Sequence, residues 1–211
     1  MIGWIILAAI VVFLAVILIR AAMFKPKDNV KAEYEPVEFD RDAAVNALAE
    51  LVRCRTVSYD DRTLEDDAEF EKLIAKLPTL YPNVVKTCHM QRMEDRGLLF
   101  HWKGSKGDGK PSVLMAHYDV VPVEEENWTH PAFDAEIVDG IMWGRGTLDT
   151  KVTFNGVLSA AENLIKQGFT PENDIYFAFS GGEEINGMGA VNIVNYFKEN
   201  NIELEMVVDE G

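Results

Sequence analysis

The sequence predicts an α/β fold, a three-layer α/β/α sandwich on a mixed sheet, preceded by one transmembrane helix. Three observations lead there. The amino terminus is an uncharged apolar run, the later half alternates strand-length and helix-length patterns, and three segments are short and apolar: Val113-Leu114-Met115, Tyr176-Phe177-Ala178-Phe179 and Met206-Val207-Val208. Runs this short read as strands buried on both faces, which requires helices above and below the sheet.

Met1 to Ile19 carries no charged side chain. At ~1.5 Å per residue it spans roughly 28 Å, close to the hydrocarbon core of a bilayer. The rival reading is a cleaved signal peptide. No basic stretch precedes the apolar run, however, and Ile17, Leu18 and Ile19 make a poor small-residue cleavage site. Residues 1–22 are therefore expected to anchor the chain in a membrane. Arg20, Lys25 and Lys27 favour a cytoplasmic domain by the positive-inside rule, but three charges do not decide the side.

Residues 23–39 are polar, include Pro26 and Pro36, and suit a stalk. The folded part is expected over 40–211. Asp40 can cap a helix with apolar residues at Ala44, Val45, Leu48, Leu51 and Val52, and a second helix carries Phe70, Leu73, Ile74 and Leu77 before Pro78 ends it. Strands are expected at Val84 to His89, Leu98 to Trp102 and Ser112 to Ala116. Then follow a helix from Lys151 to Gln167, a strand from Ile175 to Phe179, a helix from Met188 to Lys198 and a strand from Leu204 to Val208.

The 211 residues can hold one sizeable core, and 48% hydrophobic with 26% charged residues is ordinary for a folded domain. A formal net charge of -15 excludes a nucleic-acid backbone or an anionic lipid surface as the expected partner, because both would be repelled. Cys54 and Cys88 lack the spacing of a metal or redox pair and read as buried small hydrophobes.

The polar residues of interest gather where buried strands end. His117 and Asp119 follow Ala116, Glu183 and Glu184 follow Phe179, and Asp209 follows Val208. In open α/β sheets ligands bind beyond the carboxyl ends of the strands, so these side chains would share one crevice. One imidazole among several carboxylates suits zinc, manganese or cobalt, and that much negative charge needs a cation. His117 and Asp119 are two residues apart, so both can point the same way on a strand, and the acid can orient the ring. Read separately, each element also has a bland reading: a solvated Asp119, acids at Glu183 and Glu184 that only complement a helix dipole, and Asp149 in Gly144-Arg145-Gly146-Thr147-Leu148-Asp149 as a helix cap.

Taken together, the segments resemble the zinc metallopeptidase family of carboxypeptidase S, the acetylornithine deacetylases, the succinyl-diaminopimelate desuccinylases and the aminoacylases. The matching segments are His117-Tyr118-Asp119-Val120-Val121-Pro122, Trp128 with Pro131 and Phe133, Asp139-Gly140 leading into Trp143-Gly144-Arg145-Gly146-Thr147-Leu148-Asp149, and Glu183-Glu184 with Gly187 and Gly189-Ala190. The closing Val207-Val208-Asp209-Glu210-Gly211 looks most like the carboxypeptidase S branch and its N-acyl amino acid hydrolase relatives.

The resemblance implies a two-zinc hydrolase, with cobalt or manganese as substitutes, that cleaves an amide bond of small peptides or N-acyl amino acids. It implies that His117 and Asp209 bind one metal, Glu184 the second, and Asp149 both. Asp119 would orient His117 and Glu183 would be the general base. The family carries Asp or Asn after the bridging aspartate, often across a cis peptide bond, whereas here Thr150 follows Asp149. The family's remaining histidine ligand and its smaller domain, through which a homodimer could form, are expected beyond Gly211. Residues 40–211 alone are accordingly expected to bind zinc poorly at the second site and to hydrolyse little. His89, His101 and His130 are not promoted to ligands. Two other functions remain open at this point: a membrane-tethered binding protein that has lost catalysis, and a fragment without independent activity.

Overall fold

In the computed structural model, which describes residues 2–24 and 37–210, the contacts divide the chain into Met1–Glu38 and Phe39–Gly211. The first unit contains helix α1 (Ile2–Met23), whose 22 residues are long and apolar enough to cross a membrane. Lys25, Pro26, Lys27 and Pro36, which the stalk reading uses, lie outside the described residues, as does Gly211.

The second unit opens as its sequence suggests. Asp40 accepts the Ala43 N–H at 3.0 Å and starts α2 (Arg41–Val52), which buries Ala47, Leu51 and Val52. Helix α3 (Asp67–Leu80) does not stop at Pro78. A proline in the last turn removes one backbone bond, while Leu77 and Tyr81 are buried and the Tyr81 N–H still reaches the Leu77 carbonyl at 2.8 Å, so packing carries the turn.

The expected strand at Val84 to His89 is instead a short helix, α4 (Pro82–Thr87), followed by β1 (His89–Met93). Pro82 suits the first helical position, and the Glu162 carboxylate accepts the N–H groups of Asn83 and Val84, each at 2.9 Å. A long-range acid thus satisfies donors that local β-propensity could not foresee.

Five strands form the main sheet: β1, β2 (Gly97–Trp102), β3 (Ser112–His117), β6 (Ile175–Ser180) and β7 (Met206–Val208), in the order β1-β2-β6-β3-β7. β2 is antiparallel to β1 and β6, and β3 is parallel to β6 and β7, so the sheet is mixed. Helices α5 (Lys151–Lys166) and α6 (Gly189–Glu199) make the parallel crossovers. Strand alternation feeds two cores. Phe100, Trp102, Ala116, Phe177 and Phe179 face α2 to α5, while Leu99, Val113, Tyr176 and Ala178 face Ile193 and Phe197 of α6. These are the three layers expected.

Two features depart from the sequence reading. β7 is an edge strand whose Met206, Val207 and Val208 are half exposed, because only β3 pairs with it among the described residues. Asp139 and Gly140 form the left-handed turn (φ 52° and 79°) of a hairpin, β4 (Glu136–Val138) with β5 (Ile141–Trp143), where the sequence pattern predicts no strands.

Candidate metal centre

α5 leads from β3 to β6 on one face of the sheet, and α6 leads from β6 to β7 on the other. The two connections part around the carboxyl end of β3, the place where open α/β sheets bind their ligands. His117 is the last residue of β3, opposite Ser180 at the end of β6. The chain beyond it is locked in place: Tyr118 N–H donates to Ser180 O (2.9 Å), Thr56 Oγ1 to Tyr118 O (2.5 Å), and Val120 N–H to Thr56 O (2.9 Å). His117 and Asp119 are accordingly buried, at 1% and 0% exposure.

The ring of His117 is held at one nitrogen and surrounded by acids at the other. Nδ1 lies 3.0 Å from the Asp119 carbonyl and 3.4 Å from Asp119 Oδ1. Nε2 faces Asp149 Oδ1 at 3.0 Å, Glu210 Oε1 at 3.4 Å and Glu183 Oε2 at 3.7 Å. The donor atoms form two groups sharing this ring, His117 with Asp149 and Glu184, and His117 with Glu183 and Glu210, each with all atoms within 4.8 Å of one another.

Asp119 also has a role that the spacing did not suggest. Its two carboxylate oxygens accept the N–H groups of Glu183 (3.1 Å) and Glu184 (3.2 Å), so one buried acid ties both members of the acid pair to the segment that follows His117. Those glutamates sit on a 3-10 turn, Glu183–Ile185, entered through Gly181. A Cβ at Gly181 would come within 2.6 Å of the Tyr118 ring, so only glycine allows this approach.

The electrostatics test whether a cation fits. Burial disfavours a charged imidazole, yet the hydrogen bond and charge of Asp119 and the charge of Glu210 outweigh it and push His117 up to about 9. Burial and the charge of Asp149 raise Glu184, and burial raises Glu210. A proton is thus drawn to where carboxylates converge on a nitrogen, and a divalent cation there would compensate the same charges. The donors are one imidazole nitrogen and carboxylate oxygens without a thiol, a set suited to zinc, cobalt or manganese.

His117, Asp119, Asp149, Glu183 and Glu184 are therefore brought together. Asp209 stands differently: it is exposed, its Oδ1 accepts the Glu210 N–H (2.9 Å), and Glu210 is the acid that reaches His117. The peptide bond between Asp149 and Thr150 is cis. His101 pairs with Asp174 (2.6 Å) and His130 with Glu136 (2.9 Å), neither within the two groups.

Sequence reasoning also missed Lys151. Its side chain is fully buried, and Nζ donates to the Leu51 (3.1 Å) and Cys54 (2.6 Å) carbonyls at the end of α2. Burial pushes its ammonium down to about 7. The chain approaches closely above it: Gly146 has φ 89°, and a Cβ there would lie 3.1 Å from Lys151 Cδ. The signal was present, since a cation at the first position of a helix opposes the dipole and needs another reason to be there. Lys151→Met, which keeps the stem and removes the donor, is expected to cost about 1–3 kcal/mol of stability by orphaning buried carbonyls. Urea unfolding measures this, and an unchanged midpoint contradicts it.

Residues 113–211 match the family described as peptidase family M20/M25/M40, and the chain carries a domain of that family. It is 38% identical over 169 residues to probable carboxypeptidase S-like 2 of Dictyostelium discoideum, covering 78% of this chain and 33% of that protein. It is 36% identical over 215 residues to the N-fatty-acyl-amino acid synthase/hydrolase PM20D1 of Xenopus tropicalis, covering 97% of this chain and 41% of that protein. The chain thus spans 33% and 41% of these two relatives' length. In fold it is similar to the crystal structure of human carnosine dipeptidase 1, with a TM-score of 0.67 at 17% identity over 80% of this chain and 38% of that one.

Proposed function

We propose that this chain supplies the metal-binding half of the active site of a two-zinc hydrolase that cleaves an amide bond in small peptides or N-acyl amino acids. The observation that carries this is the shared ring: His117 Nε2 meets Asp149, Glu183 and Glu210, while Asp119 holds the opposite nitrogen. Such a ring, fixed on one side and open to carboxylates on the other, is how ligand histidines are commonly supported. The family match and the carboxypeptidase and N-acyl-amino acid hydrolase relatives support the reaction class.

In this reading His117, Asp149, Glu184 and Asp209 would hold the metals. When bound, the ions polarise the scissile carbonyl and make an attacking water more acidic. Glu183 does the proton work: its exposed carboxylate can take a proton from water and return it to the departing amine. The burial of Asp119 beneath Glu183 and Glu184 keeps both backbones still while that proton moves.

Asp209 is retained because of register. Val208 pairs with Leu114, so one further step places Asp209 beside Met115, on the same face as His117. A one-residue change in how the chain leaves β7 exchanges Asp209 for Glu210 at the ring. The apolar α1 acts as the membrane anchor.

Zinc titration and hydrolysis of dipeptides and N-acyl amino acids test the reading, together with Asp209→Asn and Glu210→Gln. About two zincs and a larger loss of affinity in Asp209→Asn are expected. No zinc, or no hydrolysis by a polypeptide of the relatives' full length carrying this chain, would sink it.

A further inference from the structure

The loop that carries the two glutamates is fastened at its ends by a turn that belongs to no catalytic motif. Between β1 and β2 the chain passes through Glu94, Asp95 and Arg96, with Asp95 and Arg96 both in the left-handed region (φ 53° and 60°). Residues other than glycine enter that region at a cost, and two in succession indicate a conformation held by its surroundings.

Three contacts made there reach the Glu183–Glu184 loop and the helix that follows it. The Arg96 carbonyl accepts the N–H of Gly181 at 3.1 Å, where the loop begins, and also the Tyr118 hydroxyl at 2.7 Å. The Asp95 carboxylate accepts the N–H of Met188, where the loop ends. The Glu94 carbonyl accepts Asn192 Nδ2 at 3.0 Å, in the first turn of α6. Asp119 holds the middle of the same loop through Glu183 and Glu184.

The turn is itself braced. Arg62 pairs with Asp95 through Nη2 and with Glu65 through Nε (3.2 Å). Glu65 is nearly buried and also binds Arg96 (2.7 Å), whose guanidinium lies 3.7 Å from the centre of the Phe70 ring. A carboxylate with an arginine behind it is a stronger and better-directed acceptor than a neutral group.

We propose that Asp95 is a positioning residue for the acid pair: with the Arg96 carbonyl it pins both ends of the Gly181–Met188 loop and so sets how Glu183 and Glu184 reach into the crevice. The inference rests on the metal-hydrolase reading for what the glutamates do, and on the hydrogen bonds alone for how they are held. Asp95 touches no substrate and no reacting atom; its effect passes through the loop.

The test uses the full chain in detergent, with Asp95→Ala and Asp95→Asn, and reads amide hydrogen exchange beside cobalt(II) titration followed by its visible absorption. Asp95→Ala is expected to speed exchange at the Gly181–Met188 amides by at least about tenfold, with β2 and β6 unchanged, and to weaken cobalt binding by roughly tenfold, at the lower end of outer-shell effects. Asp95→Asn, which keeps an acceptor for Met188, is expected to recover most of both and to restore the cobalt spectrum. Unchanged exchange in Asp95→Ala overturns the proposal. So does loss of protection across β2 and β6, which would make Asp95 a general prop of the sheet, and so does an Asn variant no better than Ala. If the wild type binds no cobalt, the metal reading fails by itself, and the exchange result still decides the role of Asp95.

Discussion

Glu183→Gln is expected to leave zinc content unchanged and to lower kcat by ~10²–10⁴-fold, the range of a lost general base. The substitution preserves shape and the N–H that Asp119 accepts at 3.1 Å, so the loop keeps its place and only the proton acceptor is removed. KM is expected to move little, because the loss falls on the step in which a proton is transferred. The measurement is steady-state hydrolysis of a dipeptide and an N-acyl amino acid by a polypeptide of the relatives' full length, with metal analysis on the same preparation. Wild-type turnover in the variant would remove Glu183 from the mechanism. Loss of metal instead would make it a ligand, in keeping with its place 3.7 Å from His117 Nε2.

His117→Ala is expected to have the largest effect on metal affinity, because both donor groups contain this ring. A weakening of at least ~100-fold is expected, above the ~10–100-fold span of changes that act from behind a ligand. Asp119→Ala should fall inside that span and should also loosen Glu183 and Glu184, whose N–H groups it accepts. Competition titration against a chromophoric chelator separates the two. Equal affinities for wild type and His117→Ala would place the metal elsewhere.

The parts of this molecule legible in its sequence are those set by local pattern. β2, β3 and β6 lie within a residue of the segments expected, because buried strands leave uninterrupted apolar runs. Asp40 caps α2 for a reason confined to three residues of chain. What was illegible depends on partners distant in sequence. The acid that turns Pro82–Thr87 into a helix is Glu162, and the carbonyls that hold Lys151 belong to Leu51 and Cys54.

The same division runs through the site. Strand ends with His, Asp and Glu made a crevice readable, since topology decides where such ends meet. Nothing in the spacing of Glu94-Asp95-Arg96 distinguishes it from an ordinary charged turn, and its relation to Gly181 and Met188 exists only in the fold. The choice between Asp209 and Glu210 is a matter of one residue at the end of a three-residue edge strand, where the alternation rule has least length to act on.

The most direct test of the metal centre is a crystal of the zinc-loaded protein measured at the zinc absorption edge, so that anomalous peaks locate the ions. Peaks are expected ~2.0–2.2 Å from His117 Nε2 and from the carboxylates of Asp149 and Glu184. Peaks at the His101–Asp174 or His130–Glu136 pairs with none beside His117, or no zinc peak at all, would contradict it.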